Sequence, residues 1–140
     1  YIADQSRTFS VRELTEEACY AHQVSLEIQQ TLAEMGKPGV PCQDLYQKSL
    51  QIAERHNLQD CFMGTKQKAK FVGHGVGLVI NELPVICDKN TELLAENMTI
   101  ALEPKFIIPG VGAVGTENTF VVRENRMEQI TFAPEEIIEL

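Results

Sequence analysis

Tryptophan is absent from the 140 residues, and histidine occurs three times. The missing indole argues against a stacking or carbohydrate platform that depends on tryptophan. Basic residues are scarce as well: 12 Lys and Arg stand against 20 Asp and Glu, a formal net charge of −8. A nonspecific nucleic-acid binder needs a basic face, and an anionic membrane surface repels such a chain. No apolar run reaches the length of a membrane span, and no charged start leads into a short apolar core of the secretory type. Cys19, Cys42, Cys61 and Cys87 lie far apart and form no CxxC. A zinc ribbon is thereby excluded, and a disulfide framework is not expected. Four inert thiols in a reducing, cytoplasmic compartment are the expectation. An initial methionine is also lacking. The opening Tyr1-Ile2-Ala3-Asp4 reads like the middle of a strand, so the chain is read as a piece of a longer protein.

What is present is ordinary globular composition, 44% hydrophobic and 23% charged, enough for one domain. Residues 1–11 look β-like. From Leu14 to Met35 the period changes: Leu14, Ala18, Ala21, Ser25, Ile28, Leu32 and Met35 form one stripe at three- and four-residue steps. Gly36 and Pro38 end that helix. A second helix is expected from Pro41, at its first position, to about Asn57. After Gly64 the chain turns glycine-rich and β-branched. Lys70–Ile80, 98–108, 114–122 and Glu128–Phe132 read as strands. The order implies an α+β fold, with helices covering one face of a mostly antiparallel sheet.

The chemistry begins at a turn. Pro109-Gly110-Val111-Gly112 separates two apolar runs. Folding the chain symmetrically about Gly110 sets Glu103 opposite Glu117, with Cβ atoms about 5 Å apart. Two like charges there call for a proton on one carboxyl or a cation between them. Two solvated glutamates are the alternative. His22 and His56 fall in the helices and are expected to touch solvent or cap packing. His74 stands between glycines in Gly73-His74-Gly75-Val76-Gly77. Those glycines would strip side chains from around the imidazole and let a ligand approach; a satisfied core histidine is the other reading. Asp4 interrupts an apolar start and either pairs with Arg7, caps a turn, or joins the cluster. Three carboxylates and one imidazole suit divalent ions such as Mn²⁺, Co²⁺, Fe²⁺ or Zn²⁺.

In this order the motifs resemble the C-terminal catalytic domain of the "pita-bread" M24 metallopeptidases: Xaa-Pro dipeptidase (prolidase), aminopeptidase P and methionine aminopeptidase. The resemblance rests on Asp4-Gln5-Ser6-Arg7-Thr8, Lys37-Pro38-Gly39-Val40, Phe71–Glu82, Glu103-Pro104 and Thr116-Glu117-Asn118-Thr119. It implies a partial pita-bread fold over residues 1–140, with a curved sheet. It further implies an exopeptidase that hydrolyses the X-Pro bond through a hydroxide held by two metal ions, Mn²⁺ or Co²⁺ first, with Zn²⁺ and Fe²⁺ as alternatives. Asp4 and Glu117 would bridge the ions. His74 and Glu103 would bind one ion, and both would be catalytic, Glu103 shuttling the proton of the nucleophilic water. Asn81 and Glu82, with Pro84, would border the substrate, a proline-containing dipeptide or short peptide. A homodimer is compatible with the resemblance.

The chain departs from the family pattern in four places. A second metal aspartate falls before Tyr1, so this stretch alone is expected to bind metal weakly and to be nearly inactive. Asn81, Lys70 and Gly115 stand where the family commonly has histidine, histidine and arginine. These changes leave room for a rival, a catalytically inactive pita-bread module that grips peptides or proteins. A hydrolase of creatine-like amidino substrates is the third reading, and retention of the four ligands argues against it.

Overall fold

The computed structural model describes residues 1–140. Two helices lie early in the chain, α1 (Glu16–Met35) and α2 (Cys42–Arg55), after a short β1 (Phe9–Ser10). Then come β2 (Phe71–Gly75), β3 (Glu82–Cys87), β4 (Thr99–Leu102), β5 (Lys105–Ile108), β6 (Gly112–Gly115), β7 (Asn118–Val122), β8 (Met127–Gln129) and β9 (Ile138–Glu139). Five of these form one sheet, ordered β3-β2-β4-β7-β8, with every neighbouring pair antiparallel. β5 and β6 make a separate hairpin, and β1 pairs in parallel with β9.

Thr15 caps α1, its hydroxyl accepting from the Ala18 amide at 3.1 Å. Glu16 and Glu17 add negative charge at the positive end of the helix. Its buried stripe, Ala18, Ala21, Val24, Ile28 and Leu32, packs on the β5–β6 hairpin and β8, whereas α2 packs on β3 and β2. Each fully buried Ile or Leu here contributes about 2 kcal/mol of apolar burial. Pro41 sits at the N-cap of α2 rather than inside its first turn. Gly36 caps the end of α1, its amide donating to the Leu32 carbonyl, and Met127 occupies the space a side chain there would need. No helix is long and apolar enough to cross a membrane.

The sheet differs from the sequence expectation at its breaks. The run 98–108 divides into β4 and β5 at Glu103-Pro104, since proline has no N–H to continue a ladder. The run 114–122 divides in register with it, at Thr116-Glu117. Residues 1–11 are extended but pair only at β1 and at an isolated bridge between Ser6 and Glu117. A single backbone hydrogen bond, from the Ile2 amide to the Gly77 carbonyl at 2.6 Å, and side chains hold the rest. Lys70–Ile80 is a strand only as far as Gly75. β3 is an unforeseen edge strand, which is where its Pro84 can be tolerated. His22 is buried, 4% exposed, with Nε2 at 2.6 Å from the Glu135 carbonyl, so it does not meet solvent. His56 ends α2 and bridges to α1 through Glu27 (2.9 Å) and Tyr20 (2.6 Å). All four cysteines are free.

Candidate metal centre

The two glutamates sit in the gap between ladders. Leu102 pairs with Asn118 on one side of it, and Lys105 with Gly115 on the other. Both registers are symmetric about Gly110, so no bulge intervenes and Glu103 faces Glu117. At the gap the chains part. The Glu103 amide donates outward to the Val72 carbonyl (2.9 Å), while Glu117 exchanges two backbone hydrogen bonds of 3.2 Å with Ser6. The Ser6 hydroxyl donates to Glu117 Oε2 at 2.5 Å, which leaves Oε1 to face the cluster.

His74 lies on β2 beside this gap and is 4% exposed. Its Nδ1 is 2.9 Å from the Gly75 carbonyl. A carbonyl only accepts, so Nδ1 carries a proton and Nε2 faces the carboxylates: protonated, it donates to Glu103; neutral, it offers a lone pair to a cation. Nε2 stands 3.4 Å from Glu103 Oε1, 3.8 Å from Asp4 Oδ2 and 4.0 Å from Glu117 Oε1. The flanking glycines have a different cause from the one the sequence suggested. A side chain at Gly73 would strike the Ala101 carbonyl, and one at Gly75 the Leu83 carbonyl. Close strands, not ligand access, require glycine there.

Asp4 arrives on the N-terminal segment. Thr119 fixes it twice: its hydroxyl accepts from the Asp4 amide (2.9 Å) and donates to the Asp4 carbonyl (2.8 Å). Arg7 does not pair with Asp4. It donates instead to the carbonyls of Ser6, Glu117, Ala133 and Pro134 and to Asn118 Oδ1. Sequence reading had no signal for Thr119 or Arg7 as clamps beyond their place in the motifs. It also missed Lys105, whose ammonium pairs with Glu103 Oε2.

One donor atom from each of Asp4, His74 and Glu117 lies within 4.8 Å of the others. Glu103 adjoins this trio through His74. Burial pushes the Glu117 carboxyl above its ordinary value; the Ser6 hydrogen bond opposes this, and the Glu103 and Asp4 charges add to it. Burial also acts upward on Glu103, but hydrogen bonds from His74 and Lys105 outweigh it and hold that carboxyl low. His74 is raised, chiefly by its hydrogen bond to Glu103, against the opposing effect of burial. Crowded, largely buried carboxylates with an imidazole lone pair aimed among them suit a divalent cation in both charge and donor type.

Asn81 and Glu82 lie on the far side of His74. With Phe71, Leu83 and Val85 they line a cavity of about 280 Å³ that His74 borders. Glu82 is committed to its own loop: Oε1 accepts from the Leu78 and Val79 amides at 2.6 and 2.9 Å. A second cavity, about 240 Å³, opens on the other side, between Ser6, Arg7, Glu103, Lys105 and Glu117.

A helix-covered antiparallel sheet with carboxylates and an imidazole converging from four separate segments defines a pita-bread metallopeptidase scaffold. The chain belongs to Metallopeptidase family M24, whose pattern matches residues 1–124. It is 31% identical to the Xaa-Pro dipeptidase of Pyrococcus furiosus over 138 residues, covering 99% of this chain and 38% of that protein. The crystal structure of X-Pro aminopeptidase from Thermotoga maritima superposes with a TM-score of 0.88 at 27% identity, over 99% of this chain and 38% of the other. Prolidase from Pyrococcus furiosus gives a TM-score of 0.83 at 31% identity, over 94% and 37%. The chain therefore spans less than two fifths of the length of these relatives.

Proposed function

We propose that residues 1–140 belong to the catalytic domain of a metal-dependent exopeptidase that hydrolyses the X-Pro bond of a dipeptide or short peptide. The observation that carries this reading is the approach of three carboxylates, from three separate segments, to within 3.4–4.0 Å of one imidazole nitrogen. Asp4, His74, Glu103 and Glu117 would hold the divalent cations. When bound, such ions polarise the scissile carbonyl and make water acidic enough to attack it at neutral pH. The protein's own part is positional and protolytic. The Gly75 carbonyl keeps the Nδ1 proton in place, so Nε2 stays available. Glu103 is paired with Lys105 through Oε2, which keeps it anionic, and it can accept the water proton at Oε1, then return it to the leaving nitrogen. Ser6 anchors one oxygen of Glu117 so that the other points inward.

The walls formed by Phe71, Leu83 and Val85 suit an apolar ring such as that of proline. Asn81 supplies an amide at the rim. Mn²⁺ or Co²⁺ is the proposed metal, a cytoplasmic setting agrees with the four free thiols, and a homodimer is the proposed assembly. The test uses the complete protein with Mn²⁺ or Co²⁺ and a dipeptide ending in proline. Cleavage is expected, and Glu103→Gln is expected to abolish it while the circular dichroism spectrum stays unchanged. Full activity in that variant removes Glu103 from the mechanism.

A further inference from the structure

Where the two ladders part, something must fix the distance between the chains that carry Glu103 and Glu117. Their own backbone amides point elsewhere, to Val72 and to Ser6. A buried side chain from α1 fills the role. Gln29, 4% exposed, reaches into the gap, and its Nε2 donates to the Leu102 carbonyl at 2.9 Å and to the Thr116 carbonyl at 3.0 Å. Those carbonyls belong to the residues immediately before the two glutamates. Carbonyls only accept, so the amide orientation is dictated by its partners. The Oε1 end receives the Asn118 amide at 2.8 Å. Asn118 in turn accepts from Arg7 at 2.9 Å. One amide thus ties both broken strands, at the point where each releases its carboxylate, to the buried face of a helix.

We propose that Gln29 is a positioning residue for the metal centre: its side-chain amide sets the separation of the Glu103 and Glu117 carboxylates. This rests on the metal-centre reading above. Both NH₂ protons are used on the two carbonyls, so no other side chain of similar length does the same work. Methionine has the length without the donors. Glutamate would place oxygen against two carbonyl oxygens. Asparagine is one methylene too short to span both.

The test compares Gln29→Met and Gln29→Asn with Ser25→Ala in the complete protein. Ser25 is a control on the same buried stripe, and its hydroxyl bonds only within α1, to the His22 carbonyl. Mn²⁺ affinity is measured by calorimetry, and kcat and KM with a proline-ending dipeptide, at a temperature where circular dichroism shows each variant folded. At least a tenfold loss of Mn²⁺ affinity and of kcat is expected for both Gln29 variants, with KM changed less than threefold and Ser25→Ala close to the wild type. If Gln29→Met does not fold, Gln29→Asn decides. A folded Gln29 variant that keeps Mn²⁺ affinity within twofold overturns the inference, as does Ser25→Ala losing affinity equally. Failure of the wild type itself to take up Mn²⁺ overturns the metal-centre reading and this inference with it.

Discussion

Glu117→Gln should have opposite effects on the metal-free and the metal-loaded protein. Without metal, the carboxylate at 117 is 8% exposed and faces Asp4 and Glu103. The Ser6 hydrogen bond and the Lys105 charge act in its favour. Burial and the two like charges outweigh them, as the upward displacement of its proton affinity indicates. A neutral amide of the same shape still accepts from Ser6 and relieves the repulsion. The expected gain is on the order of 1 kcal/mol, the scale of one like-charge contact at partial screening. With metal the balance reverses. A site binding Mn²⁺ at a hundred times its Kd stabilises the wild type by about 2.7 kcal/mol. In a complete protein of the relatives' length that is a rise in Tm of about 4 °C. The variant, lacking a ligand charge, should show little of that rise. The assay is thermal unfolding of the complete, chelator-dialysed protein with and without Mn²⁺, followed by circular dichroism. Destabilisation of the metal-free variant by 1 kcal/mol or more would show the buried charge to be satisfied without a cation. An undiminished Mn²⁺ response would show that Glu117 is no ligand.

Two further predictions concern the frame around the site. Burial, aided by the Glu92 and Cys87 charges, pushes the Cys42 thiol up to about 11 from an ordinary 9.0. The unfolded chain therefore gives up this proton first. The thiol's contribution is complete below pH 9.0 and is lost as pH rises from there towards about 11, at most about 3 kcal/mol. Denaturant midpoints should fall more steeply over that window in the wild type than in Cys42→Ala, and parallel slopes refute the assignment. Arg7→Lys keeps the charge but loses the fork that binds Ala133, Pro134, Glu117 and Asn118. A loss of about 2 kcal/mol and faster amide exchange near Ile138 and Leu140 are expected, and a loss under about 0.5 kcal/mol would mean the fork is dispensable.

Both helices were legible because their apolar stripes repeat over several turns; their ends shifted by one or two residues, from Leu14 to Glu16, from Pro41 to Cys42 and from Asn57 to Arg55. The hairpin register was legible because Pro109-Gly110 fixes a centre of symmetry from which Glu103 and Glu117 can be counted. Strand ends were not. β4 and β5 read as one apolar run, since nothing in a hydropathy pattern marks where Pro104 withholds its hydrogen bond. β3 was hidden by that same property in Pro84. The four candidate ligands stood out through chemistry set in apolar surroundings. Their supports did not: Thr119 and Gln29 act through side chain-to-backbone contacts across 115 and at least 73 positions of sequence, which leave no periodic trace. The glycines around His74 were noticed for the wrong reason, because crowding by a neighbouring strand and openness to a ligand select the same residue.

The shared symmetry of the two ladders also limits how this region can change in length. Adding or deleting one residue between positions 104 and 116 would rotate one glutamate to the opposite side of its strand. Matched changes on both arms of the β5–β6 finger would leave the pair confronting each other. Length variation in relatives is therefore expected to come in balanced steps about the tip, making finger length a free parameter and its parity a constrained one.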